Sequence, residues 1–214
     1  MKKYDIGFVT AGSIMTIVFL MIVNYLHSND EPWFIYPAFA LLLFPISLIL
    51  IHKKQYTLHS IIVSILMLMF LSIINYMYTP TIPWVLYAIA PLVIWPVVML
   101  SGKKAGTFPV ALGGSIGIIV YYVLLNLVLS PYFPWAIFTT FAILWWPLAV
   151  YHVKKRTYFQ FSVHGSVLIG VFFISLNAIA SPQHVWAVYP IFAVLWWPLS
   201  MYYFGHKKNN GSVQ

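Results

Sequence analysis

Trp33, Trp84, Trp135 and Trp186 stand 51 residues apart, and three further series keep the same step. These are Asn24, Asn75, Asn126 and Asn177; Pro45, Pro96, Pro147 and Pro198; and Ser13, Ser64, Ser115 and Ser166. A fixed period of this length, in a chain without low-complexity sequence, is the signature of tandem copies of one supersecondary unit. The chain is therefore expected to fold as four copies, about 1–53, 54–104, 105–155 and 156–208, followed by a short polar tail at 209–214. Whatever the protein does has to be read from that unit.

Composition decides the solvent of the unit. Hydrophobic residues make up 62% of the chain and charged residues 7%, where a soluble domain carries roughly 25% charged residues. The mean hydropathy is +0.90. A bilayer-crossing helix needs roughly 17–25 apolar residues, and eight such stretches are present: about 6–26, 33–51, 58–77, 84–100, 109–129, 135–151, 159–180 and 186–204. The expected fold is an all-α integral membrane protein of eight transmembrane helices, two per repeat, each pair a helical hairpin.

The basic residues set the orientation. All eleven fall at alternate helix ends: Lys2 and Lys3; Lys53 and Lys54; Lys103 and Lys104; Lys154, Lys155 and Arg156; Lys207 and Lys208. The opposite links carry no Lys or Arg and hold Asp30 and Glu31. The positive-inside rule then places both termini and every basic link on the cytoplasmic side of a cell (plasma) membrane protein. Because the basic residues are pairs at helix ends rather than a patch on a folded surface, the net charge of +8 is a topology signal and does not point to nucleic acid. The first apolar run aligns with the internal helices through Ser13 and Asn24 and has no small-residue cleavage pattern after it, so it reads as a retained helix and not a signal peptide. With no cysteine, disulfide and thiol chemistry are absent.

Within a unit, helix A ends near its Asn, a turn follows (Thr79-Pro80, Ser130-Pro131, Ser181-Pro182; Ser28-Asn29 in the first copy), and helix B begins at the Trp. Proline cannot continue a helix and restricts the residue before it. Trp33, Trp84, Trp135 and Trp186 are expected as interface anchors, with the indole N–H among headgroups. The prolines at 45, 96, 147 and 198 lie inside helix B and predict kinks whose freed carbonyls a neighbour satisfies, with Phe44, Trp95, Trp146 and Trp197 filling the wedge. A moving hinge is the alternative use of these prolines. Ser13, Leu20 and Asn24 share one stripe of helix A, as do their counterparts Ser64, Leu71 and Asn75; Ser115, Tyr122 and Asn126; and Ser166, Phe173 and Asn177. Such stripes serve close helix packing in lipid, or, if four of them converge on an axis along the membrane normal, they line a pathway with an outer Asn ring and a gate of Leu20, Leu71, Tyr122 and Phe173. The pathway requires the stripes to face a common axis, and it fails if each faces helix B of its own hairpin.

Histidine is the remaining class with acid–base or metal-binding capacity in the apolar region. His52, His152 and His206 stand beside inner basic residues at helix C-termini and are expected as solvated caps that complement the helix dipole. His59 and His164 would face each other across a fourfold ring, but they are three residues out of register and lack a carboxylate to orient them, so no metal or cofactor is expected. His27 and His184 fall in outer turns. No Asp, Glu, Lys or Arg is expected in the hydrocarbon region, which argues against a proton relay. No nucleophile, base and orienting group cluster, so no enzyme is expected.

The stretch 161–206 carries Asn177, Ser181-Pro182, Trp186, Tyr189-Pro190, Trp197 and His206. This resembles the bacterial two-transmembrane-helix (2TM) domain, which has an Asn, a short polar turn, a Trp followed by an aromatic-Pro, a further Trp and a His at the inner end. The spacing recurs at 24–33, 75–84 and 126–135, so the resemblance extends over nearly the whole chain. His164 and His59 match a His the family tends to carry near the start of helix A. The resemblance implies helical-hairpin modules, found alone or attached to bacterial sensory kinases, without established chemistry. The sequence thus reads as a non-enzymatic interaction, sensing or accessory module whose partners are membrane lipids or another membrane protein. A small pseudo-fourfold transporter or gated channel is the alternative.

Overall fold

The computed structural model describes residues 3–27 and 31–207, with side chains for 6–27 and 31–205. Lys2, Ser28, Asn29, Asp30, Lys208 and the tail 209–214 lie outside the described residues, as do the side chains of Lys3, His206 and Lys207. The described chain is all-helical: α1 (Lys3–His27), α2 (Ile35–His52), α3 (Tyr56–Tyr78), α4 (Val85–Ser101), α5 (Phe108–Leu129), α6 (Ala136–Lys155), α7 (Tyr158–Ala180) and α8 (Val188–Met201). The first seven are long and apolar enough to cross a membrane, and the 14 residues of α8 run on into six residues of π-helix, Tyr202–Lys207. The protein is a multi-pass helical membrane protein.

Each of α1, α3, α5 and α7 ends three residues past its Asn. Two boundaries differ from expectation. The helices after the outer turns start one or two residues beyond the Trp and not at it, because the turn is held from outside by the preceding helix. At the inner end α6 continues to Lys155, so Lys154 and Lys155 are helical and do not belong to the link. Cations in a last turn face the negative end of the helix dipole, which favours that extension.

The chain divides into two compact units, 1–102 and 103–214. In the first unit, α1 packs on α2, α2 on α3 and α3 on α4; in the second, α5 packs on α6, α6 on α7 and α7 on α8. Packing thus follows chain order within each unit, and at most 17% of any span is buried. Hydrocarbon replaces water around such helices, so burial by protein is not required for apolar side chains.

The two inner corners are built alike. After α2, Gln55 N–H reaches back to Leu50 C=O and Lys54 N–H to Ile51 C=O; after α6, Thr157 N–H reaches His152 C=O and Arg156 N–H reaches Val153 C=O. This is the Schellman pattern, in which the residue past the helix adopts the left-handed conformation. Lys54 (φ 56°) and Arg156 (φ 54°) occupy it. Above the corners, Phe39 stacks on Phe70 at 4.0 Å and Phe141 on Phe172 at 4.2 Å, while Tyr36 and Phe138 meet the same rings edge-on. The link after α4 is different. It is a 3₁₀ segment, Gly102–Gly106, opened by Gly102 at φ 49°.

Close approach in the second unit depends on Gly165. A Cβ there would sit 2.7 Å from the Trp197 ring and 3.1 Å from the Trp145 ring, both too bulky to yield, whereas one at Gly170 would meet nothing within 4 Å. Gly165→Ala is expected to cost about 1–3 kcal/mol through overpacking, and Gly170→Ala to be neutral or stabilising. Arg156→Gly should raise stability, since a left-handed non-glycine residue costs about 1–2 kcal/mol. Unfolding of the purified protein in detergent measures all three.

Candidate functional site

The four Asn residues are buried and each binds backbone groups of the turn that follows its helix. In the third hairpin, Asn126 Nδ2 donates to Ser130 C=O (2.7 Å) and Phe133 C=O (2.9 Å), and its Oδ1 accepts the Ala136 N–H (2.9 Å). Asn177 repeats this with Ser181, His184 and Ala187 at 2.8, 2.8 and 2.9 Å. Asn75 does so with Thr79, Ile82 and Val85 at 2.8, 2.8 and 3.0 Å. Asn24 donates to Glu31 C=O and accepts from Phe34 N–H, at 3.0 and 3.1 Å. The backbone carbonyls of Asn75, Asn126 and Asn177 also receive the N–H of the residue that caps the helix.

A helix start leaves unpaired N–H groups that a local Ser, Thr, Asp or Asn normally caps. Here α2, α4, α6 and α8 have no side-chain cap from their own N-cap residue. The Asn of the preceding helix supplies one from ten residues upstream. The indole N–H groups are used in the same turn: Trp84 donates to Thr79 Oγ1 at 2.8 Å, Trp186 to Ser181 Oγ at 2.6 Å, and Trp135 to Ser130 Oγ. For these three residues the turn hydroxyl is the partner of the indole N–H. Trp33 has its counterpart, Ser28, outside the described residues.

The serine and proline series prove to be connected. Proline removes the donor to the carbonyl four residues earlier, which for Pro147 is Ile143 and for Pro198 is Val194. Ser115 Oγ donates to Ile143 C=O and Ser166 Oγ to Val194 C=O, both at 3.4 Å. Such lengths are weak bonds. Ser64 is buried without a partner, opposite the α4 helix that carries both Pro91 and Pro96. Ser13 is likewise buried. Of the residues proposed as a gate, Tyr122 lies edge-on to Trp135 and Phe173 to Trp186, each at 6.0 Å. Leu20 and Leu71 are half-buried. In the third hairpin Ser115, Tyr122 and Asn126 all touch α6 or the turn leading to it, so that stripe faces its own partner helix.

His152 departs from the expected solvated cap. It is 1% exposed, with Nδ1 2.7 Å from Thr157 Oγ1 and Nε2 2.9 Å from His164 Nδ1. The chain turns back at this point, where Thr157 N–H reaches the His152 carbonyl and α7 packs on α6, so the side chain is closed into the corner. The register holds a signal for this: Leu50, 102 residues earlier, is buried at the equivalent corner. His52 is exposed, as a solvated cap would be, and the His206 side chain is not described. His59 lies edge-on to Trp95 at 5.7 Å, with Nε2 buried and unpartnered. Phe161 meets Trp197 at 5.5 Å in the same register, so His59 fills an aromatic slot. Among the described residues no three His, Asp or Glu side chains converge.

With this geometry in view, no family model, curated protein or solved structure matches the chain. Function has to be argued from the hairpins themselves.

Asn126→Leu removes three hydrogen bonds and strands the Ser130 carbonyl and the Ala136 N–H, while the Phe133 carbonyl keeps the Trp135 N–H. At about 1–3 kcal/mol for a buried unsatisfied group, the expected loss is about 2–4 kcal/mol, against about 0.6 kcal/mol or less for Ser166→Ala, the usual worth of an interhelical bond in lipid. Equal losses in detergent unfolding would show that the turn is not the dominant contact.

Proposed function

We propose that this chain is four tandem hairpin copies with both termini in the cytoplasm of a cell membrane, serving as a non-enzymatic interaction, sensing or accessory module for lipid or another membrane protein. Kinship with the bacterial 2TM hairpins belongs to the same proposal. The observation that carries it is the use of the polar stripe: Asn, Trp and, in the second unit, Ser all spend their hydrogen bonds inside their own hairpin. A transport pathway needs polar groups left available to solute along an axis. The hairpins leave instead long flanks for lipid, since the main packing within each unit is between chain neighbours. Such flanks are the part of the molecule able to meet a partner.

Reconstituted protein is expected to show no solute or ion flux above empty liposomes. Single cysteines replacing Leu20, Leu71, Tyr122 and Phe173 should resist a membrane-impermeant thiol reagent, while cysteines replacing Gln55 and Gln183 label from opposite faces. Labelling of all four stripe positions from one side, together with flux, would replace the module with the transporter. Labelling of Gln55 and Gln183 from the same side would reject the topology.

A further inference from the structure

The second unit contains a groove carrying two hydroxyls that have no counterpart at the equivalent positions of the first. Between α6 and α7 runs a furrow of about 100 Å³ floored by the Phe141 and Phe172 stack. It opens into a hollow of about 470 Å³ beside α5, at the end of the unit away from the basic residues. The two share Ile137, Thr140 and Ser175. Among the described residues neither the Thr140 nor the Ser175 hydroxyl has a hydrogen-bond partner. They are thus left available as donors, whereas Thr139 and Thr16 spend theirs on the Ala136 and Gly12 carbonyls of their own helices.

The first unit places Ala38 and Ile73 at the corresponding positions, 102 residues earlier, above the matching Phe39 and Phe70 stack. The hydroxyls are thus additions to a contact that holds without them. Thr140 lies four residues into α6 and Ser175 five from the end of α7, so at 1.5 Å per residue both stand about 6–8 Å below the helix ends. In a bilayer with about 30 Å of hydrocarbon within 40–45 Å overall, that is the level of the glycerol esters and the first methylenes. No charged side chain lines either cavity.

We propose that this groove binds one glycerolipid of the surrounding leaflet, its ester carbonyl accepting from Thr140 and Ser175 and one acyl chain lying along Leu144 and Leu168 in the furrow. An ester carbonyl is an acceptor without a donor, which complements two free hydroxyls. The wide hollow takes the glycerol and headgroup, and the narrow furrow takes a single chain. The inference rests on the module reading and names one of its lipid contacts.

The test uses the full-length protein in vesicles of phosphatidylcholine carrying a mid-chain diazirine, with crosslinked peptides mapped after photolysis. Crosslinks are expected to concentrate on 141–144 and 168–172, at least fivefold over the equivalent stretches 39–42 and 66–70. Thr140→Ala with Ser175→Ile, which copies the first unit, should reduce them to the level of those stretches. Equal labelling of the two units in the wild type overturns the proposal without need of the variant, as does undiminished labelling in a folded variant. Displacement of the probe by an isoprenoid quinone but not by unlabelled phosphatidylcholine also overturns it, in favour of a ring-bearing ligand. Flux remains the separate criterion for the module, so a failed lipid site and a failed module give different results.

Discussion

Everything in the hairpin depends on one buried amide per turn. An Asn near the end of one helix binds two carbonyls of the turn and caps the first free N–H of the next helix. Outside water, an unpaired backbone group costs several kcal/mol, so a tight turn at the membrane edge needs a partner with both donors and an acceptor. Asn has that combination in a short side chain. Leucine would fill the space and satisfy nothing, and aspartate would supply acceptors alone. The Trp indole and the Ser or Thr hydroxyl close the same turn from its other side.

Kinked helices follow from the same demand. Each interior proline frees a carbonyl in hydrocarbon, and in two hairpins the facing serine is the nearest donor. These bonds are long, whereas the Asn bonds are short. The Asn-held turn is therefore the fixed end of the hairpin and the proline level the softer one. Small residues serve closeness and not only polarity: Ser60, Ala111 and Ser162 hold one register with almost no exposed surface. Gly165 is the extreme case, since only a hydrogen leaves room for Trp197 and Trp145.

A second tier of order lies above the hairpin. The corner turns at Lys54 and Arg156, the Phe39–Phe70 and Phe141–Phe172 stacks and the buried Leu50 and His152 all recur at 102 residues. At the link after α4 the same positions hold Ala105, Ala90, Tyr121 and Ser101. Pairing of hairpins within each unit is thus written in residues that recur at a spacing of 102 positions and not of 51. A 51-residue period in the sequence hides this order, whereas a 102-residue period displays it.

The sequence alone determined that the chain crosses a membrane with helices joined by short turns, because apolar length and proline position are one-dimensional properties. It also marked Asn, Trp, Ser and Pro as the residues each unit needs. Which partner each chose was left to the tertiary structure. Asn126 binding Ala136, Ser115 meeting the carbonyl freed by Pro147, and Trp135 turning its N–H inward depend on how two helices cross. His152 shows the limit most clearly: beside Lys154 and Lys155 it reads as a solvated cap, yet the turn from α6 into α7 closes it into a corner with Thr157 and His164. Thr140 and Ser175 are ordinary residues in the sequence and become a pair only across α6 and α7. Hydrogen bonds and close contacts are settled at distances of a few ångströms in three dimensions, and periodicity along the chain fixes only which residues share a face.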